Sequence, residues 1–366
     1  MSNLVGFTAV TAAATFFVAS TFCLKYFSIG LCYQLVIYLF AMFLPAFLGV
    51  LYYNHNDTSN NKPSSPFNFS ELFMNKVRMS VGVTNAVYML SAYTAFKLLP
   101  FSFSFPLLYI YPILMMFFGY YINEESMPTK LEAGLFATIT FGIILMCVSS
   151  MMTETNSNYM IGTILMFIAA CSMALYFTFI KNTVKNRTML ARSTKEVYDE
   201  AIHRNAYHTT GIQLMEATTI PLIITSLIAI IMTCVPSRWI TKWNRMGVPE
   251  SITSLSLGNG LSTIFTLFLT YMLLSFGCNI SGIIADNNLS TSLFTSSEYI
   301  TYIFIGSLVG FMCFDEQMPA LKIAGLFLII VAAIINIISK LWDNRKNKTA
   351  SQPNSDILYA ETNKQQ

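Results

Sequence analysis

The side chains of this chain that could do chemistry include two acidic residues inside long apolar stretches. Glu298 lies in the stretch Thr295–Tyr302, and Glu216 lies near the start of an earlier stretch. A charged side chain at the centre of a bilayer costs roughly 2.5–3.5 kcal/mol on insertion scales, so such residues are functional by default. Either carboxylate could accept a proton or bind a cationic group of a substrate. The alternative is a carboxylate that reaches the membrane interface.

Uncharged polar side chains form the next set of candidates. Asn85 and Asn259 could bind a substrate or tie helices together through hydrogen bonds, and the sequence leaves both open. Tyrosines inside a membrane protein can stack on a ring or donate to a phosphate, whereas tyrosines at the interface form an aromatic belt. The predicted substrate-binding residues are Glu298, Glu216, Asn85, Asn259, Tyr88, Tyr93, Tyr109, Tyr111 and Tyr302.

Enzyme and metal motifs are absent from the sequence. The three histidines, His55, His203 and His208, lie in hydrophilic stretches, and there is no Ser/His/Asp set, H-E-x-x-H or P-loop. The seven cysteines are scattered without metal-type spacing. No basic cluster with interleaved aromatics points to nucleic acid. We therefore expect no catalytic residue, metal, cofactor or nucleic-acid partner.

The elements that position these residues follow from composition. Apolar residues make up 54% of the 366 positions and charged residues only 11%, whereas soluble domains carry roughly 25% charged residues. In lipid every backbone polar group must be satisfied internally, which leaves helices or a closed barrel. The apolar runs are about 20 residues long, as a spanning helix requires. The sequence predicts an all-α, polytopic membrane protein.

Ten spans are predicted, separated by polar segments and a proline hinge at Pro100. They cover about 4–23, 31–53, 77–97, 101–122, 130–150, 160–181, 211–235, 255–275, 290–313 and 319–341. A polar loop at 181–210 divides the chain, and a polar tail, 343–366, is predicted to be disordered. With the N-terminus in the cytosol, most of the 21 lysines and arginines fall on the cytosolic side. Both termini are therefore expected there, in a membrane that the sequence does not identify.

An internal repeat is the strongest signal in the chain. Glu125–Phe136 and Glu316–Phe327 share the pattern E-x-M-P-x-x-x-x-A-G-L-F. Because five predicted spans separate the copies, the second is inverted in the membrane, as in transporters that work by alternating access. The predicted units are a first five-helix repeat, 1–150, and a second, 151–342. Glu125 and Glu316 are expected to face the positive end of the helix that follows each of them.

These residues resemble a known family. Tyr93–Pro100, Pro106–Ile113, Glu125, Gly134 and Gly142–Leu145 are similar to the EamA-type half of the drug/metabolite transporter superfamily. There, a proline in the fourth span precedes a Glu at the next turn by about a dozen residues, as Pro112 precedes Glu125. The second half repeats Glu316 and Gly325 but has Ile303 at the proline position. The resemblance implies a ten-span fold, shared with nucleotide-sugar and triose-phosphate carriers, in which spans 3, 4, 8 and 9 line a central cavity.

The expected function is a secondary transporter or exchanger that moves a small polar metabolite across a membrane by alternating access. Spans 1–4 and 6–9 would surround the cavity, and spans 5 and 10 would lie outside it as scaffold or as the contact of a homodimer. The alternative is a non-transporting membrane scaffold or receptor that retains the fold. A membrane enzyme is a weaker third reading. A sealed, wholly apolar centre would favour the scaffold.

Overall fold

The described part of the protein is almost entirely helical. The computed structural model describes residues 2–27, 29–56, 76–123, 129–153, 157–192, 198–235, 261–289 and 291–351, and contains no strand within these ranges. The helices are α1 Ser2–Tyr26, α2 Leu31–Asn56, α3 Lys76–Leu98, α4 Phe101–Leu108, α5 Tyr111–Asn123, α6 Lys130–Thr153, α7 Ser157–Arg192, α8 Tyr198–Cys234, α9 Leu261–Asn288, α10 Thr291–Phe314 and α11 Ala320–Ser351. The expected all-α class is confirmed for these residues.

The lengths and outer surfaces of the helices suit a bilayer. Within the described residues, nine stretches are long and apolar enough to cross a membrane, and one of them comprises α4 and α5 together. Helix α3 has a similar length, 23 residues. Large apolar side chains point outward, such as Leu273 at 67% exposed and Phe327 at 66%. Such surface is costly in water and costs nothing in lipid, so the chain is a multi-pass membrane protein.

The fourth predicted span, 101–122, is divided into two helices, α4 and α5. Pro112 has no N–H, so the carbonyl of Leu108 cannot accept the usual helical hydrogen bond. Tyr109 N still makes the α-helical bond to Phe105 O at 3.0 Å, but the backbone then tightens, since Ile110 N donates to Leu107 O, only three residues earlier, at 3.4 Å. The predicted span is confirmed as one membrane-crossing stretch, Phe101–Asn123, but the helix is broken inside it, and the break places Tyr109 and Tyr111 at a bend.

Three other predicted boundaries also differ from the structure. Helix α9 continues through the polar residues up to Asn288, beyond the predicted end at 275. Helices α7 and α8 cover most of the predicted loop 181–210, which is rich in good helix formers such as lysine and arginine. Helix α11 reaches Ser351 and so includes the start of the predicted disordered tail. In each case apolarity marked the membrane span, whereas the helix extends further.

The helices pack in a regular set of pairs. Helix α1 packs against α9 and α10, α2 against α8 and α9, and α3 against α7 and α8. Helices α4 and α5 both contact α7, α4 also contacts α10, and α6 packs along α11. The last pair approaches closely because it meets at glycines: a Cβ atom on Gly142 would lie 2.7 Å from the carbonyl oxygen of Gly325. Small residues at such crossings are typical of membrane helices.

Candidate functional site

A buried carboxylate lies between the two halves of the chain. The hydroxyl of Tyr111, at the start of α5, donates to Oε2 of Glu298 on α10 at 2.8 Å. Glu298 is 9% exposed. A hydrogen bond to an ionised carboxylate is stronger than one between neutral groups. The pair therefore joins the first half to the second through a buried polar contact.

Aromatic rings surround this carboxylate. The ring of Tyr109 lies 4.8 Å from that of Tyr302, 5.5 Å from that of Tyr111 and 6.3 Å from that of Tyr299, centroid to centroid. The ring of Tyr111 is stacked on Phe177 of α7 at 5.5 Å. All four tyrosines are buried. We call Glu298 with Tyr109, Tyr111, Tyr299 and Tyr302 the central site.

The structure brings together four of the predicted substrate-binding residues in the central site: Glu298, Tyr109, Tyr111 and Tyr302. The sequence analysis missed Tyr299, because an adjacent residue on a helix normally points about 100° away from its neighbour. Phe177 was also missed, since nothing local marks one phenylalanine among the 30 in the chain. The bend at α4–α5 brings Tyr109 and Tyr111 together, and the sequence analysis did not predict that bend.

A second tyrosine cluster lies on α2, α3 and α9. The ring of Tyr38 lies 5.3 Å from that of Tyr93 and 5.2 Å from that of Tyr271. The buried hydroxyl of Tyr271 has no hydrogen-bond partner among the described residues. Tyr93, which was predicted for the site, thus lies in this cluster rather than in the central site. Tyr88, also predicted, is buried on α3.

A chain of ring contacts connects the two clusters. Phe17 of α1 contacts Tyr302 at 5.6 Å and Phe105 at 6.3 Å. Phe105 contacts Phe96 at 5.1 Å, and Phe96 contacts Tyr93 at 6.4 Å. The aromatic core therefore runs continuously from the central site to α2, across helices of both halves.

Asn85 has a structural partner that explains its place in α3. Its Nδ2 donates to the carbonyl oxygen of Ala217 on α8 at 2.7 Å. That carbonyl lies four residues before Pro221, which has no N–H to donate to it. Asn85 thus supplies the hydrogen bond that Pro221 cannot make. The sequence left open whether Asn85 binds a substrate or ties helices together, and the contact that the structure describes for its amide is a tie between α3 and α8.

For the two remaining predicted site residues, Glu216 and Asn259, the structure describes no side chain. Glu216 lies on α8, directly before Ala217, and its side chain is outside the described part. Asn259 lies outside the described residues altogether. Both residues stay predictions.

Two hydroxyl side chains close to Glu298 in the sequence, the buried Ser296 and the half-buried Thr301, bond elsewhere. Ser296 Oγ accepts from Nδ2 of Asn336 on α11 at 2.7 Å, which ties α10 to α11. Thr301 Oγ1 donates back to the carbonyl of Ser297 at 2.6 Å. The tie to Asn336 holds the register of α10, and hence the position of Glu298.

Glu316 forms a second, partly buried carboxylate site at one end of the bundle. Its Oε1 accepts from Phe101 N at 2.5 Å, and its Oε2 accepts from Ser102 N at 2.8 Å and from Ser102 Oγ. These donors are the first turn of α4, which follows Pro100 and has no side-chain cap of its own. The prediction that Glu316 faces the start of the helix that follows it, α11, was therefore wrong: its carboxylate caps α4. The turn folds back because Asp315 adopts a φ of 50°.

Two lysines complete this end of the bundle. Lys25 Nζ lies 3.9 Å from Glu316 Oε1 and donates to the carbonyl of Leu99 at 3.0 Å. Lys97 Nζ donates to the carbonyl of Phe27 at 3.4 Å. The two side chains thus bind the ends of each other's helices, where cations are favoured. We call Lys25, Lys97, the first turn of α4 and Glu316 the Glu316 cluster.

An ion pair lies near the far end of the apolar span of α11, Ala320–Trp342. Lys340 Nζ lies 2.5 Å from Glu132 Oε1. Glu132 Oε2 also accepts from Thr129 N at 2.8 Å, and Thr129 Oγ1 accepts from Glu132 N at 3.3 Å, which is the capping box of α6. Lys340 lies twenty residues after Ala320, a rise of about 30 Å along a helix. Glu132 and the Glu316 cluster are therefore at opposite ends of the bundle.

Comparisons with known proteins leave the family open. No family model matches the chain, and no curated protein matches it. One solved structure, described as "Crystal structure of protein", aligns at 14% identity and a TM-score of 0.43, covering 92% of this chain and 96% of the other. Its description carries no function. The class supported by the structure is a helical multi-pass membrane protein with a buried polar site between its two halves.

Proposed function

We propose that the protein is a secondary transporter or exchanger that moves a small polar metabolite across a membrane by alternating access. The observation that carries the proposal is the hydrogen bond between Tyr111 and Glu298, inside a set of buried tyrosines. A carboxylate in the membrane is costly and is retained where it binds a proton, an ion or a substrate. The polar centre favours a transporter over a scaffold, for which an apolar core would suffice.

Matched helix contacts support a repeat of two five-span halves, with α4 and α5 counted as one span. The contact of α1 with α9 corresponds to that of α7 with α3. The contact of α2 with α9 corresponds to that of α8 with α3, and the contact of α1 with α10 to that of α7 with α4 and α5. The pairs α2–α8 and α6–α11 correspond to themselves. This symmetry is what ten spans in repeats 1–150 and 151–342 would produce.

The positions of the repeated sequence support inversion of the second half. Glu132 belongs to the first copy, Glu125–Phe136, and contacts Lys340 near the C-terminal end of the apolar span of α11. The second copy, Glu316–Phe327, lies at the other end of the same helix. A direct repeat would place both copies on one side of the membrane. An inverted one places them on opposite sides, as in many transporters that work by alternating access.

The excess of lysine and arginine orients the proposed transporter with both termini in the cytosol. The Glu316 cluster then faces the non-cytosolic side, and the Glu132–Lys340 pair faces the cytosol. The EamA-type resemblance of the sequence agrees with this arrangement, and its motifs indicate the fold rather than the substrate.

Uptake into liposomes that contain the purified protein tests the proposal. The panel comprises amino acids, purines, nucleotide sugars and phosphorylated sugars, each tested for exchange against a preloaded pool. We expect saturable exchange of at least one member, and its loss in Glu298→Gln. Failure of the intact protein to move any member, in either direction, would favour the scaffold or receptor.

A further inference from the structure

We infer that Glu316 is a gate residue, whose carboxylate holds the non-cytosolic end of the bundle closed and releases the first turn of α4 when that end opens. The inference rests on the proposed transport function. It concerns residues that lie at the end of the pathway rather than in the central site.

The bonds of Glu316 cross the boundary between the two halves. The carboxylate belongs to the second half, and the three donors, at Phe101 and Ser102, belong to the first. A helix cap within one half would be unaffected by movement of the halves against each other. This cap is broken by any separation of α4 from the α10–α11 turn, and all three hydrogen bonds are lost together.

The neighbourhood of Glu316 is built to seat a carboxylate. A Cβ atom on Gly310 would collide with Glu316 Oε2, so glycine leaves the space that the carboxylate occupies. The backbone N–H of Glu316 donates to the carbonyl of Gly310 at 3.2 Å, which holds the turn against α10. Lys25 lies beside the carboxylate and over the rings of Phe101 and Phe314, 4.9 Å from each centroid.

Aromatic rings close the bundle around the carboxylate. The rings of Phe101 and Phe314 lie 5.0 Å apart, and Phe314 also contacts Phe22 of α1 at 5.5 Å. Phe101 contacts Phe105, which leads through Phe17 to the central site. The seal therefore joins α1, α4 and α10, three helices that the proposal places around the substrate pathway.

Release of this contact is reversible on physical grounds. The groups that separate are a carboxylate, an ammonium group and the first N–H groups of a helix, and water can hydrate all of them at an open surface. The closed state gains charge-assisted bonds in a partly buried setting. A gate of this kind holds one side shut without making its opening prohibitively costly.

The test is labelling of a cysteine behind the gate. Ser20 on α1 is 2% exposed and lies five residues before Lys25, about 7.5 Å deeper along the helix. In the Ser20→Cys protein, a membrane-impermeant maleimide added from the non-cytosolic side is followed by peptide-resolved mass spectrometry. When Glu316→Gln is added, the amide offers one acceptor oxygen to the three donors at Phe101 and Ser102, so the contact is weaker and the gate is open more often. The labelling rate of the cysteine should therefore rise about tenfold or more.

Two further variants make the result specific. Glu132→Gln removes a capping carboxylate at the opposite end and should leave Ser20→Cys labelling unchanged. Ser102→Ala removes only the hydroxyl donor and should raise labelling less than Glu316→Gln does. Unchanged labelling in folded Glu316→Gln and Ser102→Ala proteins would overturn the gate. An equal rise in the labelling rate with Glu132→Gln would show that either change loosens the whole bundle, and that result would also overturn the gate.

A cross-link separates failure of the gate from failure of the transport proposal. A short, reducible cross-linker that is thiol-reactive at both ends, such as a bis-methanethiosulfonate, forms a mixed disulfide with each cysteine and releases methanesulfinate; joining Ser102→Cys to Glu316→Cys in this way should abolish exchange, and reductant should restore it. Exchange that continues in the cross-linked protein would contradict the gate while leaving transport intact. The labelling test needs no substrate, so it judges the gate even if no transported compound is found.

Discussion

Replacement of Glu298 by glutamine is the sharpest test of the central site. The amide keeps the shape of the side chain and an acceptor for the Tyr111 hydroxyl, which now donates at 2.8 Å. The change exchanges a hydrogen bond to a charged group, worth about 1.5–3 kcal/mol, for a neutral one, worth about 0.5–1.5 kcal/mol. We expect the stability of the protein to change by only about 1 kcal/mol in either direction.

Transport should respond much more strongly than stability. A carboxylate that binds a proton or a cation in the cycle cannot be replaced by a group that does not titrate. We expect the exchange rate of Glu298→Gln in liposomes to fall at least about tenfold, which corresponds to 1.4 kcal/mol, and its pH dependence to flatten. Tyr111→Phe is the matched control: it removes the donor, retains the carboxylate and should keep the pH dependence. A full rate with an unchanged pH profile in Glu298→Gln would refute the reasoning and leave a purely structural role.

The remaining predictions concern the helix contacts and the topology. Asn85→Ala should lower the free energy of unfolding by about 1–3 kcal/mol, because it leaves the Ala217 carbonyl without a partner. Pro221→Ala restores a backbone N–H that can donate to this carbonyl, so it should offset part of the loss in a double-mutant cycle followed by thermal shift. Strict additivity of the two changes would contradict the pairing. Gly325→Val should destabilise the α6–α11 crossing by about 1–3 kcal/mol, whereas the same change at Gly134, where a Cβ has no neighbour within 4 Å, should not. A cysteine at residue 350 should be labelled only from the cytosol, and labelling only from the opposite side would invert the topology.

The class of fold could be predicted from the sequence because lipid imposes one requirement on every span. Runs of about 20 apolar residues can satisfy their backbone only as helices, and the described helices follow those runs. Their ends were predicted less well. Asn288 ends α9 well beyond the predicted span, because hydrophobicity marks the lipid-facing part of a helix rather than the full helix.

The contacts of the site could be predicted only in part. The acidic residue in an apolar run identified Glu298, and proximity in the helix identified Tyr302. The partner of Glu316 could not be predicted, because its donors lie more than 200 residues earlier in the chain. Pro221 does signal an orphan carbonyl at Ala217, but nothing local indicates that Asn85 supplies its donor.

Access to the central site from both sides of the membrane is the most direct measure of the proposed mechanism. Ser297 is buried next to Glu298, and a Ser297→Cys protein in sealed, uniformly oriented vesicles can be exposed to an impermeant thiol reagent on one side at a time. Alternating access predicts labelling of this residue from each side, with Glu316→Gln increasing the rate from the non-cytosolic side. Labelling from one side alone, or from neither in a folded protein, would contradict the account.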